Sequence, residues 1–325
     1  MNATPGQPDW TIDQGSLMVP IGTHRLYMSV SGIRRMPEDP LIVILTGAGD
    51  VASSYTAVKP LVSQFAREVL YDRSGLGRSE PSPATSPSTA VSAARDLHSL
   101  LEATNQRPPL ILVAHSYGGI IAREYLHLYP DDVAGMVLVE SSTERQCDYF
   151  RVPDPNINAL LGDLKFAQVT GLRADSKLSR EEWRLRAMDI ARGAVAAQAE
   201  ADSFVEVCRA LGEKLQYQRR VMGNKPLGVI RGNSARDYER IYHAGVEVGN
   251  GTEEQRKAFR ELLDRWESID RVLMEEQLQL SSNTHLVHVP DCGHHVHLVR
   301  PEIVAAEIKW VLGRAPGAPR DDQKL

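Results

Sequence analysis

Residues 110–125 read LILVAHSYGGIIAREY. Five apolar residues with β character run into His115, Ser116, Tyr117, Gly118 and Gly119, after which apolar residues recur at helical spacing. A strand, a sharp turn bearing a serine and a helix make a nucleophile elbow. The turn lifts the hydroxyl clear of the sheet. Small residues two before and two after the serine, here Ala114 and Gly118, relieve crowding. The start of the helix aims backbone N–H groups at developing negative charge. A serine that merely caps a helix would leave the same letters, so the neighbouring segments must decide.

Those segments alternate. Short β-rich runs at 16–19 and 25–30 (a hairpin), 41–45, 68–71, 110–114 and 136–139 are separated by helical patterns, the signature of crossover units on a mostly parallel sheet with helices on both faces. From 148 to 222 no strand-like run occurs, and stretches such as REEWRLRAMDIARGAVAAQAE are amphipathic helices. Strands resume at 226–231 and 285–289, separated by a Gly/Asn loop and a long helix over 252–280; a last helix runs from Pro301 to about Leu312. EPSPATSPSTA at 80–90 is a Pro/Ser loop whose hydroxyl residues serve as caps for the helix starting near Val91. The expected organisation is an α/β core over 1–145 and 223–313, a helical cap over 146–222 and a flexible tail over 314–325. Two more segments bear on the elbow. LIVILTGAG at 41–49 is a buried strand entering a glycine turn that can supply a further N–H donor, from Ala48. VPDCGHHVHLVRPE at 289–302 follows the last strand and puts His294 on the loop facing Ser116.

Composition narrows the function classes. The 325 residues are 42% hydrophobic and carry 37 Lys plus Arg against 42 Asp plus Glu, a net charge of -5, so no basic footprint offers itself to nucleic acid or anionic lipid. Three scattered cysteines without a CxxC pattern suit a reducing compartment. No basic-then-apolar leader and no run of roughly 18 apolar residues is present, so a cytoplasmic location without a membrane span is expected. The terminal Gln-Lys-Leu matches a peroxisomal address at only two of three positions and reads as part of the tail.

The turn Thr46-Gly47-Ala48, the YDRSGLGRSE loop at 71–80, the elbow AHSYGG and GHHVHLVRPE from Gly293 together resemble the α/β-hydrolase superfamily, in that family's order. The resemblance covers most of the chain outside the helical insert. It implies that Ser116 is the nucleophile, that His294 is the base, that the N–H groups of Tyr117 and Ala48 form the oxyanion hole, and that 146–222 caps the site. Two departures stand out. Ala114 replaces the usual first glycine of the elbow, and Thr46 stands where many members carry histidine. For the acid, members commonly use an Asp three residues beyond a Gly after the strand at 226–231. Here that position is Ala235, leaving Asp237 as a displaced candidate and Glu140, at the end of the strand 136–139, as the alternative location. Glu140 is favoured because it needs no loop shift. Gly47, Gly49 and His295 are expected beside substrate, Asp72 and Arg73 to hold their loop, and His115 to point to the far side of the turn.

The implied reaction is serine hydrolysis of an ester, lactone or thioester of an apolar small molecule, with no cofactor. No metal is expected, because strand and loop geometry should scatter His288, His294, His295 and His297. Ser116 where dehalogenases and epoxide hydrolases carry Asp disfavours both. Two rivals remain. The fold could serve non-hydrolytic chemistry, such as C–C cleavage or cyclisation, or act as a ligand receptor. LIVILTGAGDVASS is also a G-x-G-x-x-A dinucleotide fingerprint, as in an NAD(P)-dependent oxidoreductase, but its Tyr55-x-x-x-Lys59 pair falls inside the phosphate-binding helix instead of several strands later.

Overall fold

The structure, a computed structural model, describes residues 8–83 and 89–316. Its centre is one eight-stranded sheet of β1 (Gly15–Pro20), β2 (Arg25–Gly32), β3 (Leu41–Leu45), β4 (Arg67–Tyr71), β5 (Leu110–His115), β6 (Val133–Val139), β7 (Leu227–Arg231) and β8 (Thr284–His288), in spatial order β1-β2-β4-β3-β5-β6-β7-β8. β1 and β2 form the expected antiparallel hairpin, β2 is antiparallel to β4, and all other pairs are parallel. Every residue of β3 to β7 is buried, as parallel strands covered on both faces require. One face packs against the helices Ala90–Ala103 and Gly118–Leu128, and the other against the helix Pro301–Leu312. Parallel strands point their carboxyl ends one way, so the loops after β3, β5, β6, β7 and β8 gather along one edge, where open α/β sheets bind ligands.

All eight strands lie where the sequence pattern put them, to within three residues at their ends. The helix expected near Val91 begins at Ala90 and is capped by Thr89, whose side chain accepts from the Ser92 N–H. Thr85, Ser86 and Ser88 of that loop lie outside the described residues, as does most of the tail. The loop expected after β7 instead contains a second helix, Ser234–Glu247, capped by Asn233. Its buried stripe is Ser234, Asp237, Ile241 and Gly245: the spacing is helical, but only one member is a large apolar residue.

Between β6 and β7 the chain is helical from Gln146–Tyr149 to Gln216–Arg219, with no strand. This segment shares a third core with the helices that follow β7. Phe150 and Leu160 pack with Ile241, Phe259, Leu263, Trp266, Leu273 and Met274. The mass over the strand ends therefore draws on both 146–222 and the helix pair Ser234–Glu247 and Glu253–Glu276.

Inside the sheet, β4 buries a carboxylate. Glu68 accepts hydrogen bonds from the Ser31 and Ser63 hydroxyls, each at 2.9 Å. Burial outweighs these bonds and the charge of Lys59, and pushes its carboxyl up to about 7. A raised folded-state value means that the protonated form stabilises the fold fully below about pH 4.5 and that this contribution is lost as pH rises through 7. Glu68→Gln should therefore gain on the wild type between pH 5 and pH 8, by at most about 3 kcal/mol in urea unfolding. A pH-independent difference between the two proteins would refute this.

Candidate active site

Ser116 follows the last residue of β5 at φ +51°, a left-handed conformation that a residue with a Cβ adopts at a cost of about 1–3 kcal/mol. The surroundings over-determine it. Its N–H donates to the Val139 carbonyl at 3.2 Å, and its own carbonyl accepts from Gly119 at 2.9 Å and Ser142 at 3.0 Å. Gly118 is obligatory, because a Cβ there would strike the backbone carbonyl of Leu45 on β3. Ser116, Ala48, Tyr117, Glu140 and His294 all line one cavity of about 240 Å³, walled on its apolar side by Phe150, Val152, Phe204, Trp266, Leu273 and Met274.

His294 sits in the loop between β8 and the last helix. Its Nδ1 is 3.2 Å from Oε2 of Glu140, whose other oxygen accepts from the Gly232 N–H at 2.5 Å. Glu140 directly follows β6 at φ +46° and is 4% exposed. The second acid has a different task. Asp237 Oδ2 accepts the backbone N–H of His294 at 3.1 Å, and a side chain on Gly293 would collide with that carboxylate. Of the two acids, Glu140 meets the imidazole and Asp237 meets the peptide beside it. Burial opposes charge on His294. The Glu140 hydrogen bond and charge, with Asp237 and Asp270 beyond it, more than offset that, so the ring titrates above the ordinary histidine range. With Nδ1 turned to the carboxylate, Nε2 is the nitrogen left to face a hydroxyl.

Ala48 lies in a turn tied from two sides. Arg73, in the loop after β4, donates from Nη1 to the Thr46 carbonyl and hydroxyl, both at 2.8 Å, and from Nη2 to the Gly47 carbonyl at 2.7 Å. Its remaining donors go to Glu200 at 2.7 and 2.9 Å, and the same carboxylate accepts the Gly49 N–H at 2.8 Å. Glu200 comes from the helix Ala194–Asp202, so one buried ion pair fastens the helical segment to the turn beside Ser116. Asp72 holds its loop as expected, accepting from the N–H groups of Ala52 at 2.7 Å and Arg78 at 2.9 Å.

Three residues expected beside substrate lie off the cavity wall: Gly47, Gly49 and His295 do not line it. The first two have backbone groups committed to Arg73 and Glu200, and the His295 ring packs among those of His115, His294 and His297, with Phe166 edge-on at 6.0 Å. The histidines are not all scattered either. His288 is exposed on the edge strand β8, but ring nitrogens of His115, His295 and His297 lie within 4.8 Å of one another. His115 is buried beneath the turn, its Nε2 3.0 Å from the His294 carbonyl oxygen. The sequence also did not single out Glu200 or Asp270. Asp270 lines the cavity and bonds to Arg231 at 3.0 Å, and burial together with the charge of Glu140 pushes its carboxyl up to about 7. Asp270 sits in a helix rich in charge, where a buried carboxylate looks like a solvated one, and Glu200 sits in an alanine-rich helix with no large apolar stripe to mark its inner face. A larger cavity of about 580 Å³, lined by Asp96, Arg192, Val195 and the far side of the Arg73–Glu200 pair, contains none of Ser116, His294 and Glu140.

Sheet order, elbow and strand-end histidine together define a protein of α/β-hydrolase architecture. A family model described as the alpha/beta hydrolase family matches residues 42–307, and the chain belongs to that family. It is 32% identical over 300 residues, 89% of this chain and 91% of the other, to an AB hydrolase superfamily protein of Gibberella zeae. It is 35% identical over 304 residues to a protein of Hormonema carpetanum named "Probable transporter efuK", covering 91% of this chain but only 42% of that one. Among the described residues no helix is long and apolar enough to cross a membrane. A solved serine hydrolase involved in carbazole degradation, the CarC enzyme, shares the fold with a TM-score of 0.57 at 16% identity, over 93% of this chain and 99% of that one.

Glu200→Gln leaves Arg73 as a buried guanidinium without its carboxylate. Breaking such a pair from one side should cost about 3–5 kcal/mol in urea unfolding, whereas Glu206→Gln, on an exposed position of the next helix, should change stability by less than about 0.5 kcal/mol. Equal effects of the two substitutions would mean the ion pair does not anchor the helix.

Proposed function

We propose that this protein is a cytoplasmic serine hydrolase cleaving an ester, lactone or thioester of a small apolar molecule, with residues 146–222 acting as its cap. The observation that carries the reading is the line Ser116, His294, Glu140: a serine in a strained turn on the cavity wall, and a histidine on the same wall with its far nitrogen held by a buried carboxylate.

Ser116 Oγ attacks the carbonyl carbon as its proton passes to Nε2 of His294, and Glu140 stabilises the resulting imidazolium. The carbonyl oxygen, now negative, is met by the N–H groups of Tyr117 and Ala48, each contributing about 3–4 kcal/mol to lowering the barrier. Collapse breaks the bond to the leaving oxygen or sulfur, which takes the proton from His294, and an acyl-serine remains. Water, deprotonated by His294, then attacks the acyl carbon; Ser116 recovers its proton and the acid departs. The mostly apolar wall favours an apolar acyl group. A cavity of about 240 Å³ is smaller than drug-sized pockets of roughly 300–1,000 Å³, which favours a small one.

Exposure to a fluorophosphonate should add one adduct to the wild type, mapping to Ser116, and none to Ser116→Ala, as read by intact mass. Folded wild-type protein that takes no adduct would turn the reading toward a receptor or a non-hydrolytic catalyst. With an acyl ester as substrate, Glu140→Gln should lower kcat by roughly 10⁴. Asp237→Asn should lower it much less, because it changes the hold on the His294 peptide and not on the ring. The opposite ranking would transfer the acid role to Asp237.

A further inference from the structure

We propose that His115, His295 and His297 form a binding site for one divalent transition-metal ion of the zinc class, joining the end of the serine-bearing strand to the loop that carries His294. The site is distinct from the reaction cavity, which none of the three residues lines.

One ring nitrogen from each residue lies within 4.8 Å of those of the other two. His115 is 2% exposed and His297 is fully buried. Their nitrogens are sorted by what surrounds them. Nε2 of His115 is 3.0 Å from the His294 carbonyl oxygen, a bond that only a protonated nitrogen makes, so Nδ1 carries the bare lone pair. Nε2 of His297 faces Oδ2 of Asp50 at 3.6 Å, beyond hydrogen-bond reach and with both atoms unpartnered among the described residues, on the side where metal-ligating histidines commonly meet a carboxylate. The Nδ1 atoms of His115, His295 and His297 are all buried without a hydrogen-bond partner among the described residues. Unpartnered ring nitrogens on three clustered histidines are costly to bury, and a late first-row divalent ion is a ligand whose chemistry satisfies three imidazoles at once.

One carboxylate oxygen faces the cluster. Asp50 directs its Oδ1 toward Ser54 and Arg186, the latter 3.4 Å away, and keeps Oδ2 for the cluster side. Tyr55 stacks on His297 at 4.5 Å between ring centres and fixes its plane. Zinc–nitrogen bonds of about 2.0–2.1 Å need ligand nitrogens nearer than 4.8 Å, so the rings turn inward on the ion. Water completes a tetrahedron. Lying under the His294 peptide and away from the cavity, the ion braces the loop and takes no part in any step proposed for Ser116.

The test uses the full chain after chelator treatment, titrated with Co²⁺ while its visible absorption is followed, then with Zn²⁺ as competitor. The expected result is one equivalent bound. Binding should be lost in His295→Gln and His297→Gln, weakened about 10–100-fold in Asp50→Asn, and retained in His294→Ala. Far-UV circular dichroism checks that each variant folds. Should the buried His297→Gln fail to fold, the wild-type stoichiometry and the part-exposed His295→Gln decide. Three outcomes overturn the site: no uptake by the wild type, uptake unchanged in His295→Gln, or uptake lost in His294→Ala but kept in the cluster variants, which would place the ion on His294 instead.

Discussion

The organisation of the strand ends follows from one backbone constraint, the left-handed turn at Ser116. A residue with a Cβ at φ +51° does not stay there unaided, and here it is held by β6 through Val139, by the start of the next loop through Ser142, and by β3, whose Leu45 carbonyl leaves no room for a side chain at Gly118. The strain is therefore maintained by the packing of three neighbouring parallel strands. The serine is placed by the most rigid part of the molecule, and the groups that must meet it are placed by loops from the same strand ends.

Charge is arranged around that point with similar economy. Glu140, Asp237 and Asp270 crowd the region of His294, yet each has its own partner: the imidazole and the Gly232 N–H for Glu140, the His294 peptide for Asp237, and Arg231 for Asp270. Three carboxylates so close could not all carry full charge without such compensation, and burial beside Glu140 raises Asp270 accordingly. The same logic governs the other flank. Burial opposes the Arg73 charge, and Glu200 outweighs it. That pair spends its geometry on the Gly47–Gly49 turn, so the position of the Ala48 N–H depends on a residue about 150 positions further along the chain.

What was legible in the sequence, and what was not, divides along physical lines. The parallel strands β3 to β7, buried on both faces, are mostly apolar, and all eight strands were visible as short runs. The elbow, the His294 loop and the Glu140 position were visible because they sit directly at strand ends, where a one-residue shift changes the chemistry. The helix Ser234–Glu247 was missed because its inward stripe is Ser234, Asp237, Ile241 and Gly245, which no hydrophobic period reveals. Glu200 and Asp270 were missed for related reasons: the alanine-rich helix Ala194–Asp202 has no large apolar stripe, and the helix Glu253–Glu276 carries many acids, so neither announces which carboxylate faces inward. The histidine cluster was misjudged because its members come from two segments about 180 residues apart, His115 from β5 and His295 and His297 from the loop after β8, and only the sheet brings those ends together.

The same division separates reactivity from selectivity. Every residue in the proposed reaction lies within a few positions of the end of β3, β5, β6 or β8, whereas the apolar wall of the cavity comes from helices: Phe150 and Phe204 from the segment after β6, Trp266, Leu273 and Met274 from the helix after Ser234–Glu247. These two groups share a core of their own through Phe150, Trp266, Leu273 and Met274, apart from the cores on the two faces of the sheet. Substitutions in that third core can reshape the cavity without touching the strands that hold Ser116 and Glu140. A relative with a different set of large side chains there would keep the strand-end geometry and present it to a different molecule, so a shared fold predicts the placement of the reacting groups far better than it predicts their substrate.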